Sequence, residues 1–156
     1  MKVYRRQKES FIYELLPQER QLLMFILRSF PLVPLSHHRL SQGGQLPDAE
    51  ANQELLAEAL AEQRLEQQQW VKEWLDATRF RPVKAGFHVT VTRDDFETLL
   101  QIINDVRVGS WLALGSPEAD MEELLESKPE STTELHRMQL AGYFQMALLE
   151  GLNEGA

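Results

Sequence analysis

The stretch TRDDFETLLQIINDVRVGSWLAL, residues 92–114, decides the fold. Thr92 followed three residues later by Asp95 marks a helix start, because the hydroxyl can accept one orphan amide while the carboxylate reaches back to another. A helix over about 93–114 is expected. At 100° per residue, Phe96, Leu100, Ile103, Arg107, Trp111 and Leu114 fall on one face. Such a face needs covering, and a second helix over about 132–152 can cover it. Ser131-Thr132-Thr133-Glu134 opens that helix as a capping box. It carries Leu135, Leu140, Phe144, Met146, Leu148 and Leu149, so it reads as apolar almost all round, and Ala141, Gly142 and Ala147 would let another backbone approach closely.

The remaining segments arrange themselves around this pair. KVYRRQKESFIYELL (2–16) reads as a β-hairpin turning at Lys8-Glu9-Ser10, with Phe11, Tyr13 and Leu15 alternating onto one face. Pro17 then opens a helix with Glu19 in its first turn. The unbroken apolar run Leu22–Leu27 predicts burial on most sides, and Pro31 ends that helix. Residues 31–47, with three prolines and Gly43-Gly44, read as a long loop. A helix over 48–77 follows, capped by Asp48, with Leu56, Leu60, Trp70 and Trp74 near one stripe. After the loop RPVKAG, Phe87, Val89 and Val91 alternate as a strand that can pair with the hairpin, which is marginal alone. A short acidic helix near 118–127 follows Pro117.

Length and composition narrow the function classes. With 156 residues, 43% apolar and 26% charged, the chain reads as one soluble domain spanning 1–156. It has no cysteine, which removes disulfides, thiolate metal sites and thiol chemistry. No apolar run reaches the roughly 18 residues of a membrane span, and MKVYRRQKES does not read as a signal peptide, so no membrane partner and a cytoplasmic location are expected. The net charge of −8 is uneven: residues 1–39 carry seven basic and three acidic side chains, residues 115–156 two and nine. Lys2, Arg5, Arg6 and Lys8 make a small basic patch, a poor footprint for phosphate on so acidic a chain. Nucleic-acid binding through the hairpin is therefore only a further alternative.

Catalytic and cofactor signatures are missing. His37, His38, His88 and His136 have no i,i+4 partner, and Glu-x-x-His does not occur. Neither Gly-x-Gly-x-x-Gly, a P-loop nor Gly-x-Ser-x-Gly is present. No catalytic residue, metal or cofactor is expected. The one unusual constellation is Arg107 near the centre of the apolar face of 93–114, with Asn104 at its edge and Asp105 opposite. A buried guanidinium needs acceptors for its five donors. Arg107 is thus expected as a buried clamp, with Glu14 or Glu19 as candidate acids; alternatively Asn104 and Arg107 bind an anionic small molecule.

The run LLQIINDVRVGSWLALG (99–115), and above all Ile103-Asn104-Asp105-Val106-Arg107-Val108, resembles the DUF2017 family of uncharacterised bacterial proteins. Gly109 and Gly115 depart from the family spacing in the second half. KVYRRQKESFIYELLPQERQLL and Tyr143-Phe144-Gln145 with Leu148-Leu149 are also similar, whereas 31–85 compares only loosely. The resemblance implies a small, mainly helical protein without an established enzymatic activity. Some relatives are labelled regulators, and some of their genes lie near that of an adaptor for a Clp-type protease.

The expected fold is mainly α: a bundle of four to five helices with a small antiparallel sheet, made by the N-terminal hairpin and a strand near 87–91. The expected function is a non-enzymatic, cytoplasmic interaction or adaptor-like regulatory module with a protein partner. A homodimer is expected because the last helix and the Trp70/Trp74 stripe offer more apolar surface than one core covers. Glu50, Glu54, Glu58, Glu62 and Glu66 recur every four residues, and like charges so spaced repel by roughly 0.2–0.5 kcal/mol per pair. Replacing Glu54, Glu58 and Glu62 together by Gln should leave the melting temperature unchanged or slightly higher; a large drop in a thermal melt would show the strip to be paired.

Overall fold

Alternation at Phe11, Tyr13 and Leu15 buries one face of a strand, and the same period recurs at Val89 and Val91. The computed structural model, which describes residues 1–35, 49–116, 118, 120–127 and 129–153, joins these runs in one antiparallel sheet. Its strands are β1 (Lys2–Arg6), β2 (Ser10–Leu15), β3 (Phe80–Val83) and β4 (Gly86–Thr92), in the order β1-β2-β4-β3. Phe11 faces Val91, and Tyr13 faces Val89 across the central pair. The helices are α1 (Pro17–Ser29), α2 (Ala49–Trp74), α3 (Arg93–Ala113), α4 (Met121–Ser127) and α5 (Thr132–Asn153). The expected mainly α architecture with a small antiparallel sheet is therefore the observed one. Asp48, His37-His38, Gly43-Gly44 and Pro117 lie outside the described residues.

Strand β3 occupies residues that read as a loop. Pro82 has no amide to donate, and the outermost place in the sheet tolerates that loss. Helix α2 ends at Trp74, three residues short of expectation, and Asp76 caps a 3₁₀ turn over Ala77–Arg79 by accepting the Thr78 amide.

Helices α3 and α5 pack together over the sheet, with Leu99, Ile102, Ile103 and Val106 against Ala141, Phe144 and Leu148 in the same core. Thr92 and Asp95 form the expected reciprocal cap of α3. Tyr13 is wholly buried and donates its hydroxyl to the Leu148 carbonyl at 2.8 Å; burial pushes its pKa up to about 12, against the pull of Arg6. Gly151 makes this contact possible, since a Cβ there would lie 2.2 Å from the Tyr13 hydroxyl. A smaller cluster of Leu114, Leu124 and Leu135 seats α4 beside the start of α5.

Three burial expectations need correction. Helix α1 buries Leu23, Ile26 and Leu27 but exposes Leu22 and Phe25, because α3 and α5 cover only one side of it. Helix α5 is likewise one-sided: Met146 is 66% and Tyr143 44% exposed. The tryptophan stripe is not spare surface, since Trp74 is buried against Phe80 and Trp70 stacks on it at 5.8 Å. Glu50, Glu54, Glu58, Glu62 and Glu66 are all exposed, as a solvated acidic face requires.

On the far side of the sheet Glu14 joins Lys2 (3.1 Å) and His88 (3.3 Å), and Tyr4 lies against the His88 ring. Hydrogen bonds from Lys2 and then His88 hold the Glu14 carboxyl below the usual carboxylate range. A lowered folded pKa gives stability that is present above the unfolded value and lost as pH falls through the folded one. The melting temperature of the parent should accordingly exceed that of Glu14→Gln near neutrality. The two curves should converge as the pH falls through and below the usual carboxylate range; melts across a pH series check this.

Candidate functional site

The motif Asn104–Gly109 sits midway along α3, and the structure gives its parts different work. The buried side of α3 is Phe96, Leu99, Ile102, Ile103, Val106, Gly109 and Ser110. Arg107 lies outside this arc and is exposed, donating to Asn104 Oδ1 at 3.2 Å. The expected buried clamp is therefore wrong. Glu14 is engaged by Lys2 and His88, and Glu19 by the Met1 ammonium, Tyr143 and the Leu16 amide. The error has a physical source. Counting only bulky apolar side chains tilts the inferred face toward Trp111, which is 39% exposed, whereas the core side includes a glycine and a serine.

The clamp in this region belongs to Asp105. Its Oδ1 accepts the amides of Leu32 (2.7 Å) and Val33 (3.3 Å), just after the cis Phe30–Pro31 bond that follows α1. One turn on, Gly109 lets that backbone lie flat on the helix: a Cβ there would meet Leu32 C at 2.7 Å and Val33 N at 2.9 Å. Arg64 of α2 closes the cluster, donating to the Val33 carbonyl and lying 3.9 Å from Asp105 Oδ2. Asp105 and Gly109, four residues apart, thus form a seat for residues 32–33.

An open cleft of about 390 Å³ borders this seat, lined in part by Gln67, Gln101 and Asn104, with Gln67 donating to Gln101 at 3.1 Å. Arg64 and Asp105 both face it, so its cation is already opposed by a carboxylate. Asn104 and Arg107 are brought together, as the anion-binding alternative requires, but Arg107 lies on the outer slope, beside Val108, Trp111 and Met138. Among the described residues no group of three or more His, Asp or Glu is placed to hold a metal ion, and no helix is long and apolar enough to cross a membrane. In the basic hairpin, Lys2 pairs with Glu14 and Arg6 donates to the Gly151 carbonyl.

A second region was not singled out as a site from the sequence. Helices α1 and α5 lie side by side, and each leaves apolar residues exposed: Leu22 and Phe25 on α1, Tyr143 and Met146 on α5. A shallow groove of about 690 Å³ runs along α5 between His136 and Met146. Arg137 lies over the Phe25 ring at 5.7 Å, while Arg20 lies over Phe80 and Phe87. At the other end Tyr143 donates to Glu19. Burial and the neighbouring Glu19 push the Tyr143 hydroxyl up to about 12. Burial works against the Glu19 charge, but hydrogen bonds from the N-terminal ammonium, Tyr143 and Leu16 outweigh it and hold the carboxyl low. The signal for this face was in the sequence, in Leu22 with Phe25 and Met146 with Leu149, three apart and opposite the core positions of each helix.

Comparison of the chain with protein-family models, curated proteins and solved structures found no match.

The roles of Asp105 and Arg107 separate by mutation. Hydrogen bonds to a charged group contribute about 1.5–3 kcal/mol, and removing the acceptor orphans two amides. Asp105→Ala should therefore destabilise the protein by about 2–4 kcal/mol, and Arg107→Ala by no more than about 0.5 kcal/mol, the usual range at the surface. Urea titrations of both variants measure the contrast.

Proposed function

We propose that this chain is a non-enzymatic protein-interaction module, regulatory or adaptor-like in role and cytoplasmic, which docks through the face shared by α1 and α5. The observation that carries the reading is the exposure of Leu22, Phe25, Tyr143 and Met146 on two helices packed side by side in so acidic a chain. Single exposed apolar residues are ordinary; several large ones gathered on two adjacent helices are a usual mark of a binding surface. Aromatic residues and methionine, three of the four here, are also the types enriched where proteins meet.

The chemistry elsewhere supports this choice over catalysis. The cleft beside Asp105 presents amides and a neutralised ion pair rather than a nucleophile with an adjacent base. The resemblance of residues 99–115 to the DUF2017 family supports the same reading, and membership of that family is part of the proposal.

The test is affinity capture from native lysate with the immobilised protein, read by mass spectrometry, using the parent and a Phe25→Glu/Met146→Glu variant. Both substitutions are at exposed positions and should leave the melting temperature within a few degrees of the parent. Proteins retained by the parent should be lost from the variant. Equal recovery on both would overturn the face as the docking surface.

A further inference from the structure

We infer that the partner of this face is a second copy of the chain, its α5 packed antiparallel on the first; this rests on the reading of the face as a docking surface. The argument starts from the outward side of α5. Met146 is the most exposed large apolar side chain among the described residues of the helix, and one turn before it stands Gly142, where an added Cβ would meet nothing within 4 Å. The helix therefore presents a protruding knob and a bare hollow, four residues apart on one side. Two such helices laid antiparallel about a two-fold axis midway between these positions place each Met146 over the Gly142 of the other copy. An isologous interface needs this self-complementarity, in which residue i meets j and j meets i.

Charge fits the same register. Between Glu134 and Glu150 the helix carries no acidic residue, so two copies of a chain with net charge −8 can meet here without opposing carboxylates. His136 and Glu150 stand at opposite ends of the exposed face, on the shoulder shared with Tyr143. In antiparallel pairs like shoulders meet, and the two-fold brings His136 within a turn of Glu150 of the other copy. A parallel pair would instead set Met146 against Met146 and leave both hollows empty. Leu149, 37% exposed, extends the apolar strip just beyond Met146.

The native chain has no cysteine, so introduced thiols report geometry without interference. Sedimentation equilibrium at micromolar concentration should return twice the monomer mass for the parent. Gly142→Gln fills the hollow, and its open surroundings and better helix propensity should preserve the fold. It should return the monomer mass with an unlowered melting temperature. Mixing single variants Gly142→Cys and Met146→Cys under mild oxidation should give mainly the mixed cross-link, whereas a parallel pair would give each variant linked to itself. A monomeric parent, a Gly142→Gln dimer as tight as the parent's, or self-linked products would each overturn the inference. A monomeric parent that still captures another protein in a Met146-dependent way would overturn the second copy alone and leave the docking face standing.

Discussion

The carboxylate of Asp105 is where three separate stretches of chain meet: the exit from α1 through the amides of Leu32 and Val33, α2 through Arg64, and α3 itself. Backbone groups that leave a helix end need partners, and a loop crossing a helix flank finds few, because the helix's own amides are already bonded. Asp105 supplies an acceptor and Gly109 the clearance, so the chain can turn across α3 rather than stand off from it. The direction of α1 on the core follows from this seat. So does the placement of the C-terminal half of α2, whose Trp74 and Val71 then reach the central cluster.

How much of this was legible depends on how local the signal was. Strands β2 and β4, the cap at Thr92, the Pro17 helix start and the exposed glutamate strip follow from neighbouring residues, and they stand in the structure as the sequence implies. What was not legible depends on close approach between distant segments. Gly109 and Ser110 belong to the buried side of α3 only because residues 32–33 lie against it, and no hydropathy pattern marks them. Arg107 seemed central for that reason. β3 was hidden by Pro82, a residue that argues against a strand until its outer position is known.

The candidate site shows the same division. The Asn104–Gly109 motif holds an architectural seat, and the residue with the most consequence in it is its aspartate rather than its arginine. The α1/α5 face was half visible: the surplus of apolar residues on α5 was evident, whereas the choice of which side stays uncovered is made by the sheet and α3. Tyr143 joins the two halves of that face, its ring outward and its hydroxyl fixed to Glu19 of α1.

The outer strands of the sheet give the basic N-terminal third a meaning that needs no ligand. A strand with one unpaired side is an open invitation to strand addition by another molecule, and proteins blunt such edges with lysine, arginine, proline and bulges. β1 carries Lys2, Arg5 and Arg6 with a register shift beside Tyr4, and β3 carries Arg81 and Pro82. Both margins are thus charged and interrupted. Both edges are therefore poor templates for strand addition.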